Sequence, residues 1–472
     1  MKPPSDSPGT PSLRLGLATL YGGELCAKLL GLLAFAWLGH RLGQERYGDL
    51  EFALGVLFLL NLVMEAGLGP YGAREAAQDP SRTERLAARI GAIRAGILVL
   101  DLVLLGALAA VLERDDTARA VLLLYGLVLV PAPLVLNWAF QARGAMGVVA
   151  GASLLRQAVL CGGVLLLVRE PEHAVRVPLV EASGFLAAVA LQQVLFRRTG
   201  ARFAPWRGWR GAGRVLRESL PLAASSVAWA LRLFFPLIAL GLFVDSAATG
   251  RFGAGHRLVV ALHTFVWLYF FNLLPAISRA AVGRGARTPE GELRRSLDGV
   301  AWLVLPGCLL ATCLAPLLLP AVYGPDFRAS AAPFQVLVWM LAAAFLSGHH
   351  RYALIAWGHQ RAEFGASAAG AVVSVLACCA AGPRLTPDLA AGALLAGELT
   401  TLAAARLQLA RRVGKLSLAP SLARPAAVAA VAAALAFGAL PGRPLLQAAA
   451  VVAVAAAGLA LLRPAWMRWP AR

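Results

Sequence analysis

Long apolar runs recur along this 472-residue chain from Leu15 to Leu462, and the breaks between them are short and usually carry arginine. An α-helix needs about 20 apolar residues to cross ~30 Å of hydrocarbon, so each run predicts a membrane span. The pattern places fourteen, at 15–38, 50–69, 88–112, 118–141, 146–168, 175–196, 219–244, 254–278, 297–320, 332–357, 363–382, 388–408, 425–440 and 445–463. An even number returns both termini to one side. The longest and most basic break, 197–217, divides the pattern into a lobe of helices 1–6 (15–196) and a lobe of helices 7–12 (218–408). A tail (1–14), a loop (409–424), helices 13–14 (425–463) and a second tail (464–472) complete the chain.

Composition agrees. The chain is 59% hydrophobic and 15% charged, where a soluble domain carries about 25% charge, and its mean hydropathy is +0.69. A net charge of +19 would suit nucleic acid if the basic groups gathered on a soluble face. They lie in the breaks instead, so orientation accounts for them and nucleic acid is not expected as a partner. With the N-terminus in the cytoplasm, 28 basic residues fall on the inner side against 11 on the outer, and the positive-inside rule favours cytoplasmic termini. Met1–Ser12 lacks the pattern of a cleaved signal, so the first span is expected to stay in a multi-pass cytoplasmic (inner) membrane protein.

Catalytic signatures are missing. The single Gly-Lys, Gly414-Lys415, precedes leucine rather than Ser or Thr, and there is no HExxH or nucleophile elbow. Cys26, Cys161, Cys308, Cys313, Cys378 and Cys379 lie in apolar runs without metal-ligand spacing and read as small buried hydrophobes. No enzyme, metal or cofactor is expected. Two halves with an even number of spans give parallel repeats around a substrate site, an arrangement of transporters.

Ionisable groups inside a span cost about 2.5–3.5 kcal/mol each and mark cavities or partners. Glu24 and Lys28, one turn apart, either neutralise each other during insertion or face a cavity. Arg94 and Asp101 share a face of span three; Arg94 is near enough to the cytoplasmic end to snorkel. Arg156 and Arg232 lie mid-span with no acidic residue one turn away, which points to an anion-facing lumen unless another helix supplies a counter-ion. His349, His350 and Arg351 face that lumen if span ten is continuous, or form an interfacial loop if it breaks at Gly348. These groups concentrate in the first ten spans. Pro131, Pro133, Pro236, Pro275 and Pro306 interrupt spans and permit bending.

Certain residues also resemble a known family. The turn expected after span one, Arg41-Leu-Gly-Gln-Glu-Arg-Tyr47-Gly48, is similar to the L-G-x-x-x-Y-G signature of polysaccharide-unit flippases, the oligosaccharide-lipid branch of the multidrug/oligosaccharidyl-lipid/polysaccharide exporter superfamily. The exit of span two, Glu65 to Arg74, resembles that family's glycine-then-arginine segment. Arg217-Glu-Ser-Leu-Pro221 and Gly250-Arg-Phe252 resemble its repeat start, with Pro236 and Phe252 as departures. The resemblance implies an all-α fold of about fourteen transmembrane helices, with two six-helix lobes forming a V-shaped central cavity plus two C-terminal helices. It also implies flipping of an anionic polyprenyl-pyrophosphate-linked oligosaccharide among membrane lipids, beside polysaccharide assembly proteins.

On that footing Lys28, Arg156, Arg232, His349, His350 and Arg351 are expected to bind substrate, while Glu24 and Asp101 couple transport to a proton or sodium gradient. An incoming diphosphate would draw Lys28 from Glu24 and leave that carboxylate to take up a proton. The rivals are a MATE-like drug or cation antiporter, whose cavity would be rich in carboxylates, and a membrane-embedded sugar polymerase or glycosyltransferase, which would need a large outer loop.

Overall fold

Apolar runs this long can satisfy their backbone in hydrocarbon only as helices, and the computed structural model, which describes residues 13–200, 208–283, 288–414 and 418–462, contains no strand among them. Side chains up to Tyr21 and those of Glu24, Pro221 and Leu222 lie outside the description. Thirteen stretches are long and apolar enough to cross a membrane. The difference from fourteen lies in the first, where α1 runs from Leu13 to Glu65 through a single non-helical residue, Gly43, at φ 67° and ψ 178°. A helix of that length rises about 80 Å at 1.5 Å per residue, far more than one bilayer, so Gly43 separates two span-length segments. Positive φ there suits glycine. Residues 41–48, expected as a turn, are otherwise helical.

Contacts gather the chain into two units: 1–42 with 56–224, and 43–55 with 225–472. The division falls after residue 224, and the 43–55 segment joins the second unit, where lobes of 15–196 and 218–408 were expected.

The first unit holds α2 (Leu68–Gln78), α3 (Thr83–Val111), α4 (Asp116–Leu129), α5 (Asn137–Ala142), α6 (Met146–Leu167), α7 (Arg176–Arg198) and the start of α8 (Ala212–Phe243). Span four is not one helix. Pro131 and Pro133 break it between α4 and α5, leaving backbone groups that need partners at depth. The Gln192 side chain accepts from Leu136 N at 2.8 Å, Gln193 donates to Leu134 O at 2.6 Å, and Arg94 donates to Val135 O at 3.0 Å. Tyr71, Ile90, Trp138, Phe140 and Phe196 pack the core beside this break. The described end of the basic linker lies on the start of α3, where Arg89 donates to Arg210 O at 3.1 Å.

The second unit holds most of α8, then α9 (Ser246–Ala281), α10 (Pro289–Tyr323), α11 (Ala331–Leu337), α12 (Trp339–Ala356), α13 (Gln360–Ala381), α14 (Pro387–Arg412), α15 (Ala419–Ala433) and α16 (Pro444–Leu462). Pro275 and Pro306 sit inside continuous α9 and α10. The motif glycines Gly48 and Gly250 meet each other: a Cβ on Gly48 would overlap Ser246 O, and one on Gly250 would overlap Gln44 O. Gly250, which falls in the break expected between the spans at 219–244 and 254–278, is helical in α9. Tyr47, between Tyr323 and Phe327 at centroid separations of 5.5 and 5.3 Å, fills the adjoining core. Four cysteines are buried as expected; Cys26 and Cys379 are exposed.

Candidate functional site

Arginine and carboxylate side chains in a low-dielectric interior are costly alone and tolerable in pairs, and that rule organises the charged groups here. In the first unit, Arg94 pairs with Glu65, which also accepts from Gly69 N at 2.7 Å. Arg94 is therefore buried and bonded rather than snorkelling. Asp101, on the same helix, is fully buried, and neither of its carboxylate oxygens has a partner among the described residues. Arg156 reaches Glu181 on α7 at 2.8 Å and lies 4.7 Å from the Phe185 ring centroid. No acidic residue lies one turn away on its own helix, and the next helix supplies the counter-ion. The pair is incompletely satisfied, because Arg156 Nε and Glu181 Oε2, like the neighbouring Gln157 Oε1, have no partner among the described residues. Its guanidinium side chain remains 31% exposed. Lys28 is exposed on α1, while the side chain of Glu24 lies outside the described residues, so the one-turn pair stays a sequence expectation.

The second unit buries a larger network. Arg232 on α8 pairs with Glu398 on α14 at 2.8 Å and donates to Thr401 Oγ1 at 2.7 Å; the two charged side chains are 3% and 2% exposed. Ser347 on α12 donates to the other Glu398 oxygen. Arg351 grips Glu363 on α13 through Nε and Nη2, at 2.8 and 2.6 Å, and Ser367 and Ser225 donate to the same carboxylate at 2.9 and 3.0 Å. Arg232 is thus not an unpaired lumen cation, and neither is Arg351. Glu398, mid-span on α14, was missed by a reading that confined ionisable groups to the first ten spans. Its signal was visible, a lone glutamate within Leu394–Leu402.

No break occurs at Gly348, since α12 is continuous from Trp339 to Ala356. His349 contacts Phe345 O at 2.7 Å and Ser296 Oγ at 2.8 Å, and His350 contacts Leu346 O at 3.0 Å. Both rings are buried among these partners, so the three-residue cluster does not converge on one cavity. A further pair, Glu51 with Arg257 at 2.6 Å, went unnoticed because both residues fell at the edges of expected spans. No group of metal-ligating side chains occurs among the described residues.

A bundle of membrane-length helices whose charges are paired across helices defines a polytopic membrane protein, and its fold is that of the flippases and multidrug transporters. Over 94% of this chain and 98% of the other, it matches the lipid II flippase MurJ in an inward closed conformation, with a TM-score of 0.72 and 11% identity. An inward-facing multidrug resistance transporter of the MATE family matches over 84% and 95%, with a TM-score of 0.65 and 12% identity. A transporter of the same superfamily from Pyrococcus furiosus, described as having a binding pocket of reverse polarity, matches over 87% and 95%, with a TM-score of 0.55 and 13% identity. Comparison with curated proteins gives no match. The polysaccharide biosynthesis protein family matches residues 14–281, more than half of the chain, and this protein belongs to that family.

Proposed function

We propose that this protein moves an anionic, polyprenyl-pyrophosphate-linked oligosaccharide from the cytoplasmic to the outer leaflet of the cytoplasmic membrane by alternating access, for surface polysaccharide synthesis. The observation that carries this reading is the polysaccharide biosynthesis family match over residues 14–281 on a chain of membrane-length helices. Cytoplasmic termini agree with the arginine asymmetry of the loops. Arg156 is the arginine best suited to meet the head group, because its side chain is 31% exposed although its Nε is itself buried. A diphosphate oxygen accepting from an exposed guanidinium N–H makes a charge-assisted bond without dismantling the pair that Nη2 forms with Glu181. Lys28, exposed on α1, adds a second cation. Arg232, Arg351, His349 and His350 are held by protein partners and serve the framework in this reading.

Coupling to a proton or sodium gradient rests on Glu24 and Asp101. Asp101 suits that role because it is buried and neither of its carboxylate oxygens has a partner among the described residues. A drug or cation antiporter is the second reading, favoured by the fold shared with the MATE transporter. It would need several free carboxylates; Asp101 is one among the described residues, but Asp49, Glu51, Glu181, Glu363 and Glu398 each face an arginine.

The test is full-length protein in liposomes carrying a labelled polyprenyl-diphosphate disaccharide, with transbilayer movement followed by outer-leaflet quenching. Movement is expected, and Arg156→Gln should slow it roughly tenfold or more, the loss of one charge-assisted bond of about 1.5–3 kcal/mol. No movement of the glycolipid, with uptake of an organic cation instead, would give the antiporter reading.

A further inference from the structure

Two cavities in the second unit run into one another on α10. One, of about 400 Å³, is lined almost wholly by carbon, with Leu305, Trp339, Leu395 and Leu422 along its length. The other, of about 770 Å³, lies between α9, α10 and α12 and contains Asn272, Glu292, Arg295 and Ser296. Val300, Val304 and Phe345 line both, so the apolar groove opens into the polar pocket.

The two parts follow one another along α10. From Glu292 to Leu305 α10 rises about 20 Å at 1.5 Å per residue, which is close to one leaflet of a bilayer whose hydrocarbon is ~30 Å thick, head group included. The polar end lies near the helix start that follows the α9–α10 loop, at the depth of lipid head groups. Leu303 and Phe265, on the pocket's outer margin, are exposed, as expected where a cavity opens sideways into lipid.

Charge decides what head group fits. The pocket offers one guanidinium, Arg295, and one carboxylate, Glu292, both half-buried. A guanidinium carries five donors and can serve a carboxylate and a phosphate together. Glu292 would attract the ammonium of a zwitterionic head group, a charge that a phosphoglycerol head group lacks. Asn272 and Ser296 add neutral groups at the rim.

We propose that this compound cavity is a binding site for a zwitterionic, amine-bearing phospholipid of the leaflet on the side of the α9–α10 loop. Its phosphate lies at Arg295, its ammonium at Glu292, and one acyl chain occupies the groove along α10, α12 and α14. The site is separate from the groups proposed to meet the transported substrate. The Tyr269–Ser296–His349 chain of hydrogen bonds forms its inner wall, so an occupant would brace α9, α10 and α12 against one another.

The experiment is native mass spectrometry of the full-length protein in detergent, titrated separately with dioleoyl-phosphatidylethanolamine, dioleoyl-phosphatidylglycerol and undecaprenyl phosphate. The ethanolamine lipid should bind at least tenfold tighter than the glycerol lipid. Glu292→Gln should abolish that preference while lipid still binds, and Arg295→Gln should weaken binding of the ethanolamine lipid about tenfold. Equal affinity for the two phospholipids in the wild-type protein overturns the proposal, whatever the variants do. Tighter binding of undecaprenyl phosphate also overturns it and makes the cavity a port for the carrier lipid.

Discussion

Arg232 shows how a single residue can be legible as unusual while its role is not. Its sequence neighbourhood is apolar and offers no acid, which leaves an anion-facing lumen or a counter-ion from another helix as the alternatives. Its partner comes from a helix far along the chain, and spacing rules reach only one or two turns. Glu398 was visible as a charge in a span, but only packing joins it to Arg232. Removing one member of such a pair leaves an uncompensated buried charge at about 3–5 kcal/mol, whereas replacing both by apolar residues is often neutral. Glu398→Ala is therefore expected to destabilise the protein by that amount, and Arg232→Met with Glu398→Met to recover most of it, as read by thermal unfolding in detergent. If the double variant is as unstable as the single one, the pair carries more than mutual neutralisation.

Elements were the most legible scale. Runs of twenty apolar residues can be little else than helices, and their ends fell within several residues of expectation wherever a span is simple. What a turn-forming residue does depends on the neighbouring helix. At Gly348, where the sequence left a continuous helix and a break both open, the helix continues, while at Pro131 and Pro133 it stops, and Gln192, Gln193 and Arg94 supply the missing bonds. At Tyr47-Gly48 the motif glycine serves a close crossing with α9 rather than a turn. Gly48→Ala would push a methyl into the Ser246 carbonyl, which is backbone and cannot rotate away. A cost at the upper end of about 1–3 kcal/mol is expected from such overpacking. Gly162→Ala on α6, where nothing lies within 4 Å, serves as the control and should be neutral or slightly stabilising. Chemical denaturation of the two variants side by side checks the difference.

For the whole molecule, hydropathy gave the membrane class and short motifs gave the family resemblance, and the comparisons bear out both. Where the charges lie in three dimensions was hidden, since it depends on which helices touch. The result is that Arg94, Arg156, Arg232, Arg257 and Arg351 each sit against a carboxylate.

That arithmetic of opposites bears on the electric field across the membrane. A free charge carried through the field exchanges about 2.3 kcal/mol per 100 mV, whereas an ion pair moving as one body feels equal push and pull. The Arg232–Glu398 and Arg351–Glu363 couples can travel with their helices at no electrical work. Rearrangements of the second unit without substrate should then proceed alike at any membrane potential, as measured by cysteine accessibility in proteoliposomes under an imposed potassium diffusion potential. A steep dependence would mean that a couple comes apart during the motion.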